Sequence, residues 1–544
     1  MKRKQFLTAL LVIVMVVLAS VGFTACKQQD KNKNKEPNRT LVVGTTMTVD
    51  SLNRLDAVGG KPGYYFDKIA STVSQISAVS KIDGKFVSVA CNFEVSEDGT
   101  TVKLTQKNGY KWHDGKDVTI DDVEFTLKGL KVGENYENVV KEGKSLTYTV
   151  TFADKFLTDV AGYTLFPKHV FENKTKETLT DEESVIGAGP FKYVGKDDNA
   201  GTITFEKFAD YPLADKVQFN KVVFKKYGSD DVLALALNKG EIDLIYNYSA
   251  SLNVHAIDML SKSDNATLIS KSTKRVEKVL FFNNQKMTDA RVKRAIALSI
   301  DYAKLRETFA TAGVAPAREG FVGEGIEGYK ETPIWKRDLE KAKKLLREAG
   351  YSENNKFNFE ILVNSSQKSS DEQYANLLKD QIEETGLVKV EFAKKGTDWQ
   401  DYYQAGNHMA SLATITPKGY DFEAGYATRY TLATITSMYK SEDQNPENPK
   451  INWNPVAHGQ MLVEKDGNLT EYGEILTAMK NAKNKEELNT AVGMYQDFIV
   501  KNVICVPFFY SGTTYGVSSK LTGFQFDDSY GVFNVVTFET LKRV

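Results

Sequence analysis

The sequence predicts an α/β protein with two or more lobes. Its 544 residues are too many to share one hydrophobic core. Residues 357–392 switch from strand to helix periodicity and back, which is the pattern of a strand–helix–strand unit with a parallel strand pair. The apolar fraction of 41% and the charged fraction of 26% are those of an ordinary globular protein. A net charge of −1 gives no indication of nucleic acid as a partner.

Residues 1–25 have the features of a bacterial export signal. A basic stretch at residues 1–4 precedes a nearly continuous apolar run at residues 6–18, which is shorter than the roughly 20 residues that a membrane-crossing helix needs. The ending Phe23-Thr24-Ala25-Cys26 resembles a lipobox, which implies lipidation of Cys26 and anchoring on the extracellular face of the cell membrane, or in the periplasm if an outer membrane exists. Ordinary cleavage that releases a soluble protein is the alternative. Residues 26–38 are polar and are expected to form a flexible tether.

The remaining cysteines, Cys91 and Cys505, leave two possibilities. An exported protein can pair them in a disulfide. Cys505, however, lies in the apolar run 503–510, which is typical of a buried strand. The other possibility is therefore that both cysteines are buried free thiols. Two cysteines this far apart in sequence do not make a zinc framework.

Strand patterns alternate with turns through the first half of the chain. Residues 40–44 predict a buried strand, and residues 45–54 a polar loop that leaves it. Residues 232–245 predict a helix that stops at Gly240 and leads into a buried strand. The glycine-rich segment 186–191 predicts tight turning before a strand. Further strand alternation occurs at Val87 and Val89, Val102 and Leu104, Tyr148 and Val150, and Ile203 and Phe205.

The second half has the clearer helices. Asp289 is a good N-cap for a helix. Residues 338–349 are amphipathic and end at Gly350, and Gly386 ends the following helix. The predicted segments are a strand at 357–363, a helix at 374–382, a strand at 388–392, an irregular aromatic-rich stretch at 397–439, a helix at 486–501 and a returning strand at 505–517.

The sequence lacks the common catalytic and metal-binding motifs. The chain contains no H-E-x-x-H and no G-x-S-x-G, and Gly143-Lys144-Ser145 lacks the first glycine of a phosphate loop. No two of the histidines have the spacing of metal ligands on a helix; they are His113, His169, His255, His408 and His458. His113 is either a ligand or metal contact or a structural turn histidine beside Trp112. The sequence therefore predicts no enzyme activity, no cofactor and no metal site.

Four ordered segments resemble the family 5 extracellular solute-binding proteins, the peptide- and nickel-type binding components of ABC importers. They are KWHDGK at 111–116, GAGPF at 187–191, FFNNQ with DARVKRAI at 281–296, and LEKAKKLLREAGY at 339–351. The resemblance implies the bilobed periplasmic-binding-protein fold of class II, with an enlarged first lobe and two lobes joined by a two-strand hinge. We expect the first lobe at 39–277 and 513–544, the second at 278–512, and the crossings near 278–284 and 504–512.

The resemblance implies a substrate-binding lipoprotein that captures a small ligand, in the first place an oligopeptide, and delivers it to a membrane permease. The transport would be driven by a separate ATPase, and the protein is expected to be a monomer. Three alternatives remain: an extracellular receptor for a signalling peptide, an oligosaccharide-binding importer subunit, and an exported lipid-anchored hydrolase. Nickel or haem binding ranks below peptide, because no histidine pair has ligand spacing.

The resemblance also indicates which residues would contact the ligand. Asp421 is the best match to the family's aspartate that pairs with a peptide amine, followed by Glu423, although the proline that often accompanies it is absent; an exposed loop acid is the alternative. Thr46, Met47 and Asp50 follow the first strand and would offer backbone groups. Aromatic candidates, each of which could instead belong to the core, are Trp399, Tyr402, Tyr403, Tyr420 and Tyr510.

Overall fold

One mixed sheet of twelve strands organises the architecture. The computed structural model describes residues 39–57, 62–129, 139–150, 153–248, 251–283, 286–309, 315–320, 322, 329–365, 371–396, 402, 408–415, 471–527 and 534–544. The strands are β1 (Thr40–Thr45), β2 (Val79–Ile82), β3 (Lys85–Ser88), β4 (Cys91–Val95), β5 (Thr101–Gln106), β6 (Val139–Glu142), β7 (Ser145–Thr149), β8 (Phe191–Asp197), β9 (Thr202–Lys207), β10 (Lys221–Lys226), β11 (Leu244–Ile245), β12 (Ala266–Phe282), β13 (Ala315–Pro316), β14 (Phe357–Asn364), β15 (Val388–Lys395), β16 (Ala410–Ile415), β17 (Cys505–Pro507), β18 (Phe509–Ser518), β19 (Leu521–Thr522) and β20 (Lys542–Arg543).

Helices flank the sheet strands along the chain. They are α1 (Tyr64–Val73), α2 (Ile120–Glu124), α3 (Ala153–Ala161), α4 (Lys168–Phe171), α5 (Asp181–Ser184), α6 (Asp230–Asn238), α7 (Val254–Ser261), α8 (Ala290–Ser299), α9 (Tyr302–Phe309), α10 (Leu339–Glu348), α11 (Asp371–Glu383), α12 (Glu471–Asn481) and α13 (Lys485–Asn502). Across the described ranges, none of these helices combines the length and the hydropathy needed to span a membrane.

The helices and strands predicted in the second half are confirmed, but the stretch 397–439, predicted to be irregular, contains the strand β16, which pairs with β12 and β14. Asp289 caps α8 by accepting the Arg291 backbone N–H at 2.8 Å, and Asp338 caps α10 by accepting the Lys341 N–H at 3.0 Å. Gly350 ends α10 with a φ of 95°, a left-handed conformation that favours glycine. The predicted strand–helix–strand unit is β14–α11–β15, and its two strands are parallel.

The strand directions determine which ends of the strands in one half of the sheet point toward the other half. Ten of the twelve strands follow the order β15-β14-β16-β12-β18-β11-β1-β10-β9-β8, and the other two, β13 and β17, pair with β18 and β12. β1 and β11 are parallel, and both β11 and β12 are antiparallel to β18, so β1, β11 and β12 run the same way. β16 runs against β12, and β14 and β15 run with β16. The carboxyl ends of β1 and β11 therefore point toward those of β14, β15 and β16.

Separate cores give the protein its two lobes. One cluster consists of buried apolar side chains from two parts of the chain, between Leu41 and Tyr246 and between Tyr515 and Leu541, and it includes the fully buried Trp112. A smaller cluster joins α6, α7 and β11 on the same lobe. The other large cluster contains Leu280 to Phe509. The long strand β12 leaves the first core and enters the second, and β17 and β18 return antiparallel to it.

The two crossing strands are irregular where they pass between the cores. The pairing of β12 with β18 shifts register between Lys271 and Arg275. The pairing of β12 with β16 shifts again between Val276 and Val279. Register shifts of this kind bend a strand and increase its local twist, so the regular ladder is interrupted at the connection between the lobes.

His113 has a structural role in the first lobe. Its Nδ1 accepts the Gly187 backbone N–H at 3.2 Å, so the neutral ring carries its proton on Nε2, which donates to the Gly189 carbonyl at 3.1 Å. The ring also packs edge-on against Phe208, with a centroid separation of 4.8 Å. Both ring nitrogens are thus used in joining the 111–116 turn to the glycine-rich segment, which favours the structural interpretation of this residue.

We expect His113 to make the protein less stable in acid. Burial lowers the pKa of His113 to about 4, against about 6.5 in an unfolded chain. The unfolded chain therefore takes up a proton that the native ring does not bind, and stability falls as the pH drops from about 6.5 to about 4, by roughly 3 kcal/mol. Urea unfolding at pH 7 and at pH 4.5 should show this loss, and it should be smaller in His113→Gln. His255→Gln, at an exposed helix position, is the control; equal losses in all three proteins would contradict the prediction.

Both described cysteines are free thiols. Cys91 and Cys505 are buried and unpaired, which decides between the two possibilities left by the sequence. Burial raises the pKa of Cys91 to about 12 and raises the pKa of Cys505 as well. The reactive thiolate form is therefore suppressed at both positions, and neither cysteine has the environment of a catalytic or redox residue.

Candidate functional site

The carboxyl ends of β1 and β11 form the first-lobe edge of the cleft. Open α/β sheets bind ligands outside the carboxyl ends of their strands, and here those ends from both lobes point toward each other. The loop after β1 begins at Thr45, and the chain after β11 passes through Asn247 and Tyr248. The strand pairing places these two loops side by side, although about 200 residues separate them in sequence.

Asn247 fixes the loop after β1. Its side-chain oxygen accepts the Thr46 backbone N–H at 2.8 Å and the Thr45 hydroxyl at 3.2 Å. Its side-chain nitrogen donates to Asp230 at 3.1 Å, and the other oxygen of Asp230 accepts the Asn253 N–H at 3.0 Å. Burial raises the pKa of Asp230 above its ordinary value. No local sequence pattern indicates Asn247 or Asp230 as site residues, because the contact joins two loops that are distant in the chain.

The three predicted residues of the first loop have different environments. Thr46 is half-buried and Asp50 is exposed. Met47 is buried in the first-lobe core, and its N–H donates to the Thr45 hydroxyl at 3.1 Å. The side chain of Met47 therefore serves packing, and Thr46 and Asp50 are the members of this set that present side chains outside the core.

An aromatic group with a lysine lies beside this loop. Tyr64 and Tyr65 begin α1, with ring centroids 5.3 Å apart, and the Tyr64 ring meets the Tyr248 ring edge-on at 6.2 Å. The Lys68 Nζ lies 5.4 Å from the Tyr64 centroid and 5.3 Å from the Tyr248 centroid. Lys68 and Tyr248 are absent from the sequence-based candidates. The spacing of four between Tyr64 and Lys68 on a helix is a usable signal for one of them.

The second-lobe edge is described only in part. Tyr402 is half-buried, and the Nζ of Lys395, the last residue of β15, lies 4.7 Å from its ring centroid. Tyr402 therefore lies near the carboxyl end of β15, and its contact with a ligand stays a prediction. Several predicted residues lie outside the described residues: Cys26, Trp399, Tyr403, Tyr420, Asp421 and Glu423.

Tyr510 lies in a crossing strand and is engaged within the protein. It pairs with Val276 of β12, so it lies at the connection between the lobes. It is buried, and its hydroxyl makes a bifurcated contact to the carbonyls of Gly320 at 3.2 Å and Val322 at 3.4 Å. A ligand that used this hydroxyl as a donor would have to replace those two contacts.

Metal ions in proteins are held by close groups of histidine, cysteine and carboxylate side chains. Among the described residues, no group of three or more histidine, cysteine, aspartate or glutamate side chains is placed to hold a metal ion. The buried His408 is neutral at ordinary pH, since burial lowers its pKa to about 3.

Comparisons with known proteins agree with this architecture. Residues 87–436 match the model of the bacterial extracellular solute-binding proteins, family 5 middle region. The oligopeptide-binding protein AppA of Bacillus subtilis is 23% identical, over an alignment that covers 98% of this chain and 99% of that protein.

Solved structures share the fold. DppA of Helicobacter pylori, in complex with the peptide STSA, superposes with a TM-score of 0.69 at 18% identity, covering 93% of this chain and 98% of that one. NikZ of Campylobacter jejuni, in complex with Ni(L-His), gives 0.69 at 18%, covering 93% and 100%. Those two proteins bind different ligands on one fold, so the fold alone does not specify a ligand. With well over half of its length matched by the family model, this chain belongs to the bacterial extracellular solute-binding proteins, family 5, and has their bilobed α/β fold.

Proposed function

We propose that this protein is the substrate-binding subunit of an ABC importer and that its ligand is an oligopeptide. The observation that carries the proposal is the meeting of strand carboxyl ends from both lobes at one cleft, with the loop after β1 locked by Asn247. Family membership and the similarity to AppA along nearly the whole chain support a peptide as the ligand. The protein captures its ligand without chemistry, as a monomer, and a separate ATPase drives the permease.

Capture would occur by closure of the lobes about β12 and the β17–β18 return. The first lobe would comprise residues 39–277 and 513–544, and the second residues 278–512. The register shifts in β12 support this location of the hinge, because a short irregular segment absorbs backbone rotation more easily than a regular ladder. Closing the lobes would bring Thr46 and Asp50 toward Tyr402 and toward the chain that follows β16.

The ligand amine would pair with Asp421 or, failing that, Glu423, since a buried ammonium needs a counter-charge. The side chains of Trp399, Tyr402, Tyr403, Tyr420 and Tyr510 would line the peptide, with backbone groups from Thr46, Met47 and Asp50. Residues 1–25 would direct export, and lipidated Cys26 with the tether 26–38 would hold the protein at the outer face of the cell membrane.

Native mass spectrometry of the protein purified gently from its host tests the proposal. We expect bound masses that fragment into amino-acid residues. Those masses should be lost in Asp421→Ala, because the peptide amine would then have no counter-charge. The matched control is Asp215→Ala, which removes an exposed aspartate of the first lobe and should leave the bound masses unchanged.

The other outcomes of this experiment separate the alternatives. A hexose or pentose ladder would keep the importer role and contradict the peptide. Turnover of a bound substrate by the purified protein would instead favour an exported hydrolase. A protein that carries no ligand and binds none from a peptide library would contradict the proposal as a whole. A receptor for a signalling peptide would give the same mass spectrum as an importer subunit. Deletion of the permease distinguishes the two roles, because it should abolish uptake of the bound peptide for an importer subunit and leave that uptake unchanged for a receptor.

A further inference from the structure

Lys68 lies near the carboxyl end of β11, beside two aromatic rings. Its Nζ is 5.4 Å from the Tyr64 centroid and 5.3 Å from the Tyr248 centroid. Tyr248 follows β11 by three residues, at the carboxyl end that points toward the second lobe. The Lys68 side chain is 19% exposed, so its stem is covered while solvent still reaches it.

The carboxylate next to Lys68 is shared with a second cation. Asp67 Oδ1 accepts the Arg54 Nε–H at 3.2 Å, and Arg54 is buried over the Phe166 ring at 4.0 Å. Asp67 Oδ2 is 3.4 Å from Lys68 Nζ, a long contact for an ion pair. Within the described ranges, Lys68 has no other carboxylate at ion-pair distance, so its ammonium retains donor capacity.

The neighbouring backbone is held in an uncommon conformation. Tyr248 has a φ of 55°, in the left-handed region that bulky side chains rarely adopt. Its carbonyl accepts the Tyr515 hydroxyl at 3.3 Å, which ties this conformation to β18. Backbone strain of this kind concentrates at ligand-binding positions, and here it sets the ring of Tyr248 beside the ammonium.

We infer that Lys68, between Tyr64 and Tyr248, forms an anion-binding subsite in the first-lobe wall that takes a carboxylate of the bound peptide. The inference rests on the proposed function, since the peptide supplies the carboxylate. Burial lowers the pKa of Lys68, but Asp67 and the phenols of Tyr248 and Tyr64 raise it by a larger amount. The pKa is therefore above its ordinary value, and the ammonium stays protonated. A charge-assisted hydrogen bond to a carboxylate is stronger than a neutral one, and the flanking rings reduce competition from water.

Competition among peptide pools tests the subsite. The probe is an equimolar pool of di- to pentapeptides, prepared once with free carboxyl termini, once as C-terminal amides, and once as amides without Asp or Glu. Retained peptides are quantified by mass spectrometry on the wild type, Lys68→Met, Lys68→Arg and the exposed control Lys103→Met. We expect the wild type to prefer carboxylate-bearing peptides by roughly 10- to 100-fold, the free-energy range of a charged hydrogen bond. Lys68→Met should lose the preference, and Lys68→Arg should keep most of it.

Each outcome has a definite meaning. A preference that follows the free terminus identifies the C-terminal carboxylate, and one that follows Asp or Glu in the amidated pool identifies an acidic side chain; both support the subsite if Lys68→Met abolishes them. Equal retention of all pools by the wild type, or an unchanged preference in Lys68→Met, overturns the subsite and leaves peptide binding standing. Retention of no pool by the wild type overturns the proposed function and this inference together. Thermal melting of each variant checks folding, and Lys68→Gln replaces Lys68→Met if the latter does not fold.

Discussion

Replacing Asp122 with alanine is expected to destabilise the first lobe by about 3–5 kcal/mol, the cost of breaking a buried polar network. Asp122 is 3% exposed and lies in the first turn of α2. Its Oδ2 accepts the Thr119 N–H at 2.7 Å, the Thr119 hydroxyl at 3.0 Å and the Trp112 Nε1–H at 3.3 Å. Its Oδ1 accepts the Lys168 N–H at 2.8 Å. Alanine would leave four donors without this acceptor.

Urea unfolding followed by Trp fluorescence measures the effect, and Asp121→Ala is the matched control. Asp121 is the preceding residue, its side chain is 47% exposed, and its partner is Lys141. Loss of an exposed ion pair costs about 1 kcal/mol or less. Similar free energies of unfolding for Asp122→Ala and Asp121→Ala would show that the network around Trp112 does not hold the 111–122 segment in place.

Features with local signals are the ones that can be predicted from the sequence. Asp289 and Asp338 cap helices through backbone groups two and three residues away, so the information lies within one turn. The parallel pair β14–β15 follows from periodicity and the length of the connecting helix. The bilobed arrangement follows from the resemblance of ordered segments to a family, not from periodicity.

Contacts between distant parts of the chain cannot be predicted in the same way. Asn247 and Thr45 are 202 residues apart, and nothing near either residue indicates the other. In the sequence, Lys68 has the features of an ordinary helix lysine. Only the structure shows that Tyr248, which follows β11, lies beside it. The candidates near residue 421 stay predictions, because they lie outside the described residues.

The glycine-rich segment 186–191 predicts a tight turn, but the structure gives a different reason for its glycines. Gly187 and Gly189 are not among the described glycines with positive φ. A Cβ on Gly187 would lie 1.9 Å from the Ser74 carbonyl oxygen, and one on Gly189 would lie 2.7 Å from the Ser74 carbonyl carbon. The segment therefore needs glycine for close approach of two backbones.

Gly187→Ala is expected to lower the free energy of unfolding by about 3 kcal/mol or more, at the upper end of overpacking costs. The obstructing atom belongs to the backbone, so no side-chain rotation relieves the clash. Moving the segment would also strain the two bonds that Gly187 makes with His113, at 2.7 and 3.2 Å. Gly195→Ala in β8 is the control, because a Cβ there meets nothing within 4 Å, and its loss of unfolded-state freedom should leave stability unchanged or slightly higher. Equal stabilities for the two variants in urea unfolding would mean that the Ser74 backbone can shift at little cost, and the coupling of α1 to the 111–116 turn would then be weaker than these contacts imply.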